Sequence, residues 1–210
     1  MAPDNTNDRA VSRRDILKTA SALPLAGLLP AAEAATVPNG GSEMNVKPFK
    51  IAVPQARLDW IAQRVKEAEW PDVPDGQPWQ YGTSAAAMKD LVQYWQTRYD
   101  WRAREAAMNR FPHFKAQVED YEIHFMHVKG SGKSPQPIII THGWPGSFVE
   151  FLKVIEPLAH PEKHGGQADD GFDVVVPSIP GFGFSSKPRK PINSRFVANL
   201  WERLMTENLG

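Results

Sequence analysis

The sequence predicts an α/β protein in which a helical N-terminal part is followed by a hairpin, a strand, a helix, a second strand and a last helix. Three observations carry this prediction. Ile138, Ile139 and Ile140 form a short β-branched run closed by Pro137 and Gly143, which is how a strand buried on both faces reads. Phe148, Phe151, Leu152, Ile155 and Leu158 then fall at helical spacing, so the stretch from 137 onward reads as strand, tight Gly/Pro turn, helix. Phe172–Val176 repeats the buried-strand pattern, and Val197, Leu200, Trp201, Leu204 and Met205 repeat the helical one.

Composition sets the outer bounds. The chain has 210 residues, 41% of them apolar and 23% charged, enough for one domain with a real core. Lysine plus arginine number 24 and aspartate plus glutamate 24, so the formal charge is zero. Nothing suggests nucleic acid or an anionic membrane surface, either of which would call for a basic footprint. Cysteine is absent, which excludes a thiol nucleophile, a disulfide framework and a Cys-ligated metal. Nothing calls for a cofactor.

Residues 1–34 read as a targeting segment. Ser12-Arg13-Arg14-Asp15-Ile16-Leu17-Lys18 is a twin-arginine signature, followed by a mild apolar stretch and a small-x-small site at Ala32-Glu33-Ala34. The apolar stretch is interrupted by Pro24, Gly27 and Pro30, so no membrane span is expected. The expected destination is the periplasm or the medium. Residues 35–46 read as a linker.

Residues 47–112 read as helical. Pro54 suits a helix start, and Leu58, Ile61, Val65 and Ala68 then share a face. The stretch from Trp70 to Pro78 is a loop, because its prolines and glycine cannot continue a helix. Thr83 or Ser84 caps the next helix, whose expected buried face is Met88, Leu91, Val92 and Trp95. Asp100 caps a short successor that ends before Pro112. Five tryptophans lie here (Trp60, Trp70, Trp79, Trp95, Trp101) and read as core plus contacts to a lid, the alternative being an aromatic wall over a substrate tunnel.

Residues 113–210 hold the sheet. Phe114, Ala116 and Val118 alternate with polar neighbours, Glu119-Asp120 turns the chain, and Ile123, Phe125 and His127 alternate again. His124 and His127 are excluded as a metal pair, since an odd spacing on a strand puts them on opposite faces. His160–Gly171 reads as an exposed loop, and Asn193 or Ser194 begins the last helix. Gly143 and Gly146 allow the turn after the isoleucines to bring backbone N–H groups close to a ligand.

His142-Gly-Trp-Pro-Gly-Ser147 behind a hydrophobic strand resembles the oxyanion-loop motif of epoxide hydrolases of the microsomal and juvenile-hormone type. Asp173–Ser186, with its Gly181-Phe-Gly-Phe-Ser185 loop, resembles a second stretch of that family. Pro48–Lys129 is similar to its N-terminal extension. The resemblance covers roughly 45 to 210 and implies the first half of an α/β-hydrolase fold with an incomplete sheet. It implies a small-molecule epoxide as substrate, opened to a vicinal diol through a covalent aspartyl ester. It also implies that the backbone N–H of Trp144 donates to the oxyanion, with His142, Gly143 and Pro145 forming the loop around it. His142 is expected to brace the loop rather than act as base, and the Trp144–Pro145 bond is compatible with cis. Gly181, Phe182, Gly183 and Phe184 are expected to support the substrate pocket.

No Gly-x-Asp-x-Gly or Gly-x-Ser-x-Gly elbow occurs in these 210 residues, so the polypeptide by itself is expected to show no turnover. Asp169, Asp170 and Asp173 precede a strand and cannot stand in for the nucleophile. Half a sheet is expected to leave an unpaired strand and exposed apolar surface, with marginal stability and self-association. A homodimer is left open. The competing readings are another α/β-hydrolase chemistry, dehalogenase or esterase, and a non-catalytic remnant.

Overall fold

The computed structural model describes residues 45–72 and 79–210. The expected targeting segment 1–34, most of the 35–46 linker and part of the loop between Trp70 and Pro78 lie outside the described residues. A five-stranded sheet organises the rest, in the order β1-β2-β3-β5-β4. β1 is Val46–Phe49, β2 His113–Val118, β3 Tyr121–Val128, β4 Gln136–Ile139 and β5 Phe172–Pro177. All neighbours are antiparallel except β4 and β5, which run parallel with Ile138 opposite Val174. A parallel pair needs a long crossover, and residues 140–171 supply it.

Period-two alternation divides the side chains between two cores. On one face Ala116, Val118, Tyr121, Ile123, Phe125 and Val175 pack against α5 (Ser194–Arg203) through Val197, Leu200 and Trp201. On the other, Met126, Val128, Val174 and Val176 meet Met108 of α3 (Trp101–Met108), Phe148, and Ile155 and Ala159 of α4 (Ile155–Ala159). The hairpin, β5 and the last helix stand where the periodicity predicts. Asn193 is the residue that caps α5, accepting from Phe196 N at 2.9 Å.

Four expectations are corrected. Residues 47–112 are not purely helical, because Val46–Phe49 forms an edge strand on β2. Four residues with Lys47 and Pro48 in the middle give no hydrophobic alternation, and proline is tolerated there because the strand lies at an edge. Of the triple isoleucine only Ile138 and Ile139 lie in β4 and Ile140 follows it, and all three are only half-buried, because β4 is the other edge and has sheet on one side only. Phe148–Leu158 is no continuous helix. It is a 3-10 turn at Phe148–Phe151 and then α4, because Pro157 cannot donate to residue 153 and must sit in a first turn.

The fourth correction concerns the tryptophans. α1 (Gln55–Lys66) and α2 (Ala85–Thr97) pack on one another but bury none of their residues fully. Trp60, Trp70, Trp79, Trp95 and Leu91 are exposed, Leu91 by 56%, and only Trp101 is half-buried. The amphipathic pattern was legible, yet among the described residues nothing covers that face. α3, by contrast, is tied in firmly. The Asn109 side chain brackets Ile51, accepting from its N–H at 2.9 Å and donating to its carbonyl at 2.8 Å. Glu105 accepts from Val53 N at 2.7 Å, and that bond leads the effects that hold its carboxyl below the usual range.

Candidate active site

The loop after β4 leaves the sheet at its C-terminal edge, beside the loop after β5. That is the side on which ligands meet open α/β sheets, outside the carboxyl ends of the strands. Ile140 N still donates to Val175 O at 2.9 Å, after which the chain turns at His142–Ser147. Gly146 N closes the turn on Gly143 O at 2.8 Å. Ser147 and Glu150 then form a reciprocal capping box that starts the 3-10 turn.

His142 is 3% exposed and bonded on both ring nitrogens. Nδ1 lies 3.1 Å from Gly143 O, an acceptor, so Nδ1 carries the proton. Nε2 then accepts from Ile179 N at 3.2 Å. With its lone pair occupied, this imidazole ties the β4 loop to the β5 loop. The Trp144–Pro145 bond is cis, and the Trp144 side chain is 85% exposed. Among the described residues the Trp144 N–H donates to no protein acceptor. Gly143 has open space where a Cβ would stand.

The second loop packs beneath the first. Phe182 lies against His142 with ring centroids 5.3 Å apart, and Phe184 contacts Phe148 and His124. Gly181 and Gly183 have φ of +90° and +50°, the left-handed region that favours glycine. A Cβ at Gly183 would run into Ser178 Oγ. Asp173 sits at the opposite end of β5, accepting from Lys129 Nζ at 2.7 Å and Gly130 N at 2.8 Å. Burial opposes its charge, but those partners prevail and hold its carboxyl below the usual range. His127 points toward it, while His124 points to the other face.

The sequence reading missed a buried polar chain under this site. His113 Nε2 lies 2.9 Å from Met108 O, His113 Nδ1 3.0 Å from His124 Nε2, and His124 Nδ1 2.9 Å from Ser178 Oγ. The carbonyl at one end can only accept, which fixes every proton: Ser178 donates to His124, His124 to His113, and His113 to Met108. Both imidazoles are neutral. Burial lowers the His113 pKa, and burial, then the neighbouring His113, then Lys115 lower that of His124 to about 3. The signal lay in the hairpin register. With the turn at Glu119-Asp120, Lys115 faces His124, which puts His113 diagonally beside it on the same face.

The family described as Epoxide hydrolase N terminus matches residues 46–151, and the alpha/beta hydrolase fold matches 136–207. A protein of Stigmatella aurantiaca (strain DW4/3-1) with a provisional epoxide hydrolase name is 46% identical over 79% of this chain and 38% of its own length. Epoxide hydrolase 1 of Sus scrofa is 34% identical over 80% of this chain and 38% of its own. The juvenile hormone epoxide hydrolase structure from Bombyx mori superposes with a TM-score of 0.70 at 28% identity, over 80% of this chain and 40% of that one. The Aspergillus niger epoxide hydrolase structure gives 0.68 at 30% identity, over 78% of this chain and 43% of that one. The chain thus spans well under half the length of these relatives. With more than half of its residues matched and the loop geometry in place, this chain belongs to the epoxide hydrolase N-terminus family, and its second half carries part of the α/β-hydrolase fold.

Proposed function

We propose that residues 45–210 supply the N-terminal extension and the oxyanion loop of an epoxide hydrolase. One observation carries this reading: the Trp144 N–H, unpaired among the described residues, lies in the loop that follows a parallel strand and is braced by His142, in a chain of this family. In the proposed reaction an aspartate oxygen attacks one epoxide carbon, and the ring C–O bond breaks. The released alkoxide takes a proton from a lid tyrosine. A histidine base takes a proton from water as it attacks the ester carbonyl, and the resulting oxyanion is where the Trp144 N–H would donate. Collapse breaks the ester C–O bond and the departing oxygen takes up the carboxyl proton, giving the carboxylate and a vicinal diol, while the proton on the histidine returns to the tyrosine. One such donor is worth about 2.7–4 kcal/mol in the barrier. The pocket beneath would be supported by Gly181, Phe182, Gly183 and Phe184.

No nucleophile-elbow motif occurs in these 210 residues, so the test is a chimera. Residues 46–210 replace the matching segment of the Aspergillus niger enzyme, and styrene oxide hydrolysis is measured. Retained diol formation supports the reading. A folded chimera without turnover overturns it, and one that cleaves a carboxylic ester or a haloalkane instead favours esterase or dehalogenase chemistry. The 210-residue polypeptide alone should show no turnover above a heat-treated control.

Two further proposals accompany it. The twin-arginine signature supports export to the periplasm or medium, tested by whether residues 1–34 carry a folded reporter across the inner membrane. The exposed Trp60, Leu91, Tyr94 and Trp95 support self-association of the free chain as a homodimer or larger. No helix of the described residues is long and apolar enough to cross a membrane.

A further inference from the structure

The two loops of the site are not held by the sheet alone. Ser178 is fully buried and gripped by His124 twice: its N–H donates to His124 O at 2.8 Å and its Oγ to His124 Nδ1 at 2.9 Å. Ser185 Oγ donates to Ser178 O at 2.7 Å and accepts from His124 N at 2.9 Å. The next residue along, Ile179, gives its N–H to His142. One peptide therefore separates the buried histidine chain from the brace of the β4 loop.

The far end of that loop is held by the same chain. Phe148 comes directly after the Ser147 cap, inside the capping box, and is 2% exposed. Its ring meets His124 edge-on at 5.1 Å and His113 at 5.7 Å. Phe49 from β1 and Phe184 from the second loop complete an aromatic cage around His124 at 5.4 Å and 5.2 Å. Such a cage favours neutral rings and excludes water, so the proton order cannot relax by exchanging partners. The chain ends at Met108 O, on the helix that Asn109 and Glu105 lock to residues 51–53.

We propose that Ser178, His124 and His113 are positioning residues, a directional hydrogen-bond relay through which helix α3 of the N-terminal extension fixes the placement of the loop from Thr141 to Ser147. The extension is then part of the machinery of the site and not only a wrapping. The relay holds His142 through Ile179 at one end of the loop and Phe148 at the other, so a change at Ser178 is felt at the Trp144 N–H without touching it. Its consequence for catalysis rests on the reading of this loop as an oxyanion loop. The placement itself does not, and the test reads placement.

The test uses the 210-residue chain labelled with nitrogen-15. Long-range proton–nitrogen spectra of the wild type should show His113 Nδ1, His124 Nδ1 and His142 Nε2 as bare nitrogens, each ring in a single tautomer. Ser178→Ala removes the first donor. It should shift the amide signals of Ile179 and Trp144 and move the His124 Nδ1 signal, which loses its donor, while the Met108 carbonyl keeps both tautomers; Ser178→Thr, which keeps the hydroxyl, should restore the wild-type pattern. Asn193→Ala destabilises the chain from the opposite face and is the control for general loosening. The proposal is overturned if Ser178→Ala leaves the Trp144 and Ile179 amides in place, or if Asn193→Ala moves them as far. Should Ser178→Ala fail to fold, the wild-type tautomers decide, and averaged lines for His113 and His124 refute the relay. A chimera that is inactive while the relay pattern persists sinks the epoxide reading and leaves this one standing.

Discussion

Acid should loosen this protein in a window set by the buried histidines, well before its carboxylates titrate. The His124 pKa lies at about 3 in the folded chain against an ordinary 6.5. The folded state therefore binds fewer protons than the unfolded one, and lowering the pH favours unfolding. The contribution is fully present above 6.5 and is lost as pH falls toward 3. Integrating over that shift gives a loss of about 2 kcal/mol between about pH 7.5 and about pH 5, rising to about 3 kcal/mol near pH 4. His113 and His127 are also lowered, mainly by burial, and act in the same direction, so the figure for His124 alone is the smaller bound. Glu105 and Glu156 begin to titrate only below their ordinary 4.5, which leaves the upper part of the window to histidine. With a urea m-value on the order of 2 kcal/mol per molar, the unfolding midpoint should drop by about 1 M between the two pH values. A midpoint that stays constant over this interval, or a His124 ring that titrates near its ordinary value, would refute both the burial argument and the neutral relay.

Other outcomes follow from the same contacts. Gly183→Ala forces a side chain onto Ser178 Oγ at a φ of +50° and should cost on the order of 1–3 kcal/mol in thermal unfolding; an unchanged melting temperature would show that the loop accommodates it. Trp144→Phe should change stability by less than about 0.5 kcal/mol, because the side chain is 85% exposed and the donor of interest is the backbone. A larger loss in the urea midpoint would mean the indole is structural. The free chain should elute from gel filtration as a dimer or larger species, given the open β4 edge and the exposed face of α1 and α2. A single monomer peak at all concentrations would count against it. Both sheet edges do carry a proline, Pro48 and Pro137, which limits strand-to-strand growth.

Much of this protein is written locally. Period-two alternation placed the hairpin, a continuous apolar run placed β5, and helical spacing placed α1, α2 and α5. Capping chemistry marked Asp100 and narrowed the other caps to Thr83 or Ser84 and Asn193 or Ser194, of which Ser84 and Asn193 cap. The His142-Gly-Trp-Pro motif is contiguous, so His142, Gly143, Trp144 and Pro145 were visible as a unit, as were Gly181 to Phe184. These features depend on residues close in sequence, and the physics that shapes them acts over one or two turns.

What the sequence could not supply are relations across the sheet. β1 has no pattern of its own and exists because β2 offers an edge. The isoleucines of β4 are half-buried because strand order, not hydrophobicity, decides which strand is outermost. The tryptophans carry a core-like signature, yet burial needs a partner surface, and none among the described residues covers them. The histidine relay joins residues 108, 113, 124 and 178, and only the hairpin register and the β3–β5 pairing bring them within hydrogen-bond reach. Buried polar groups must find partners wherever the fold places them, so tertiary structure alone turned two unremarkable histidines and a serine into the support beneath the site.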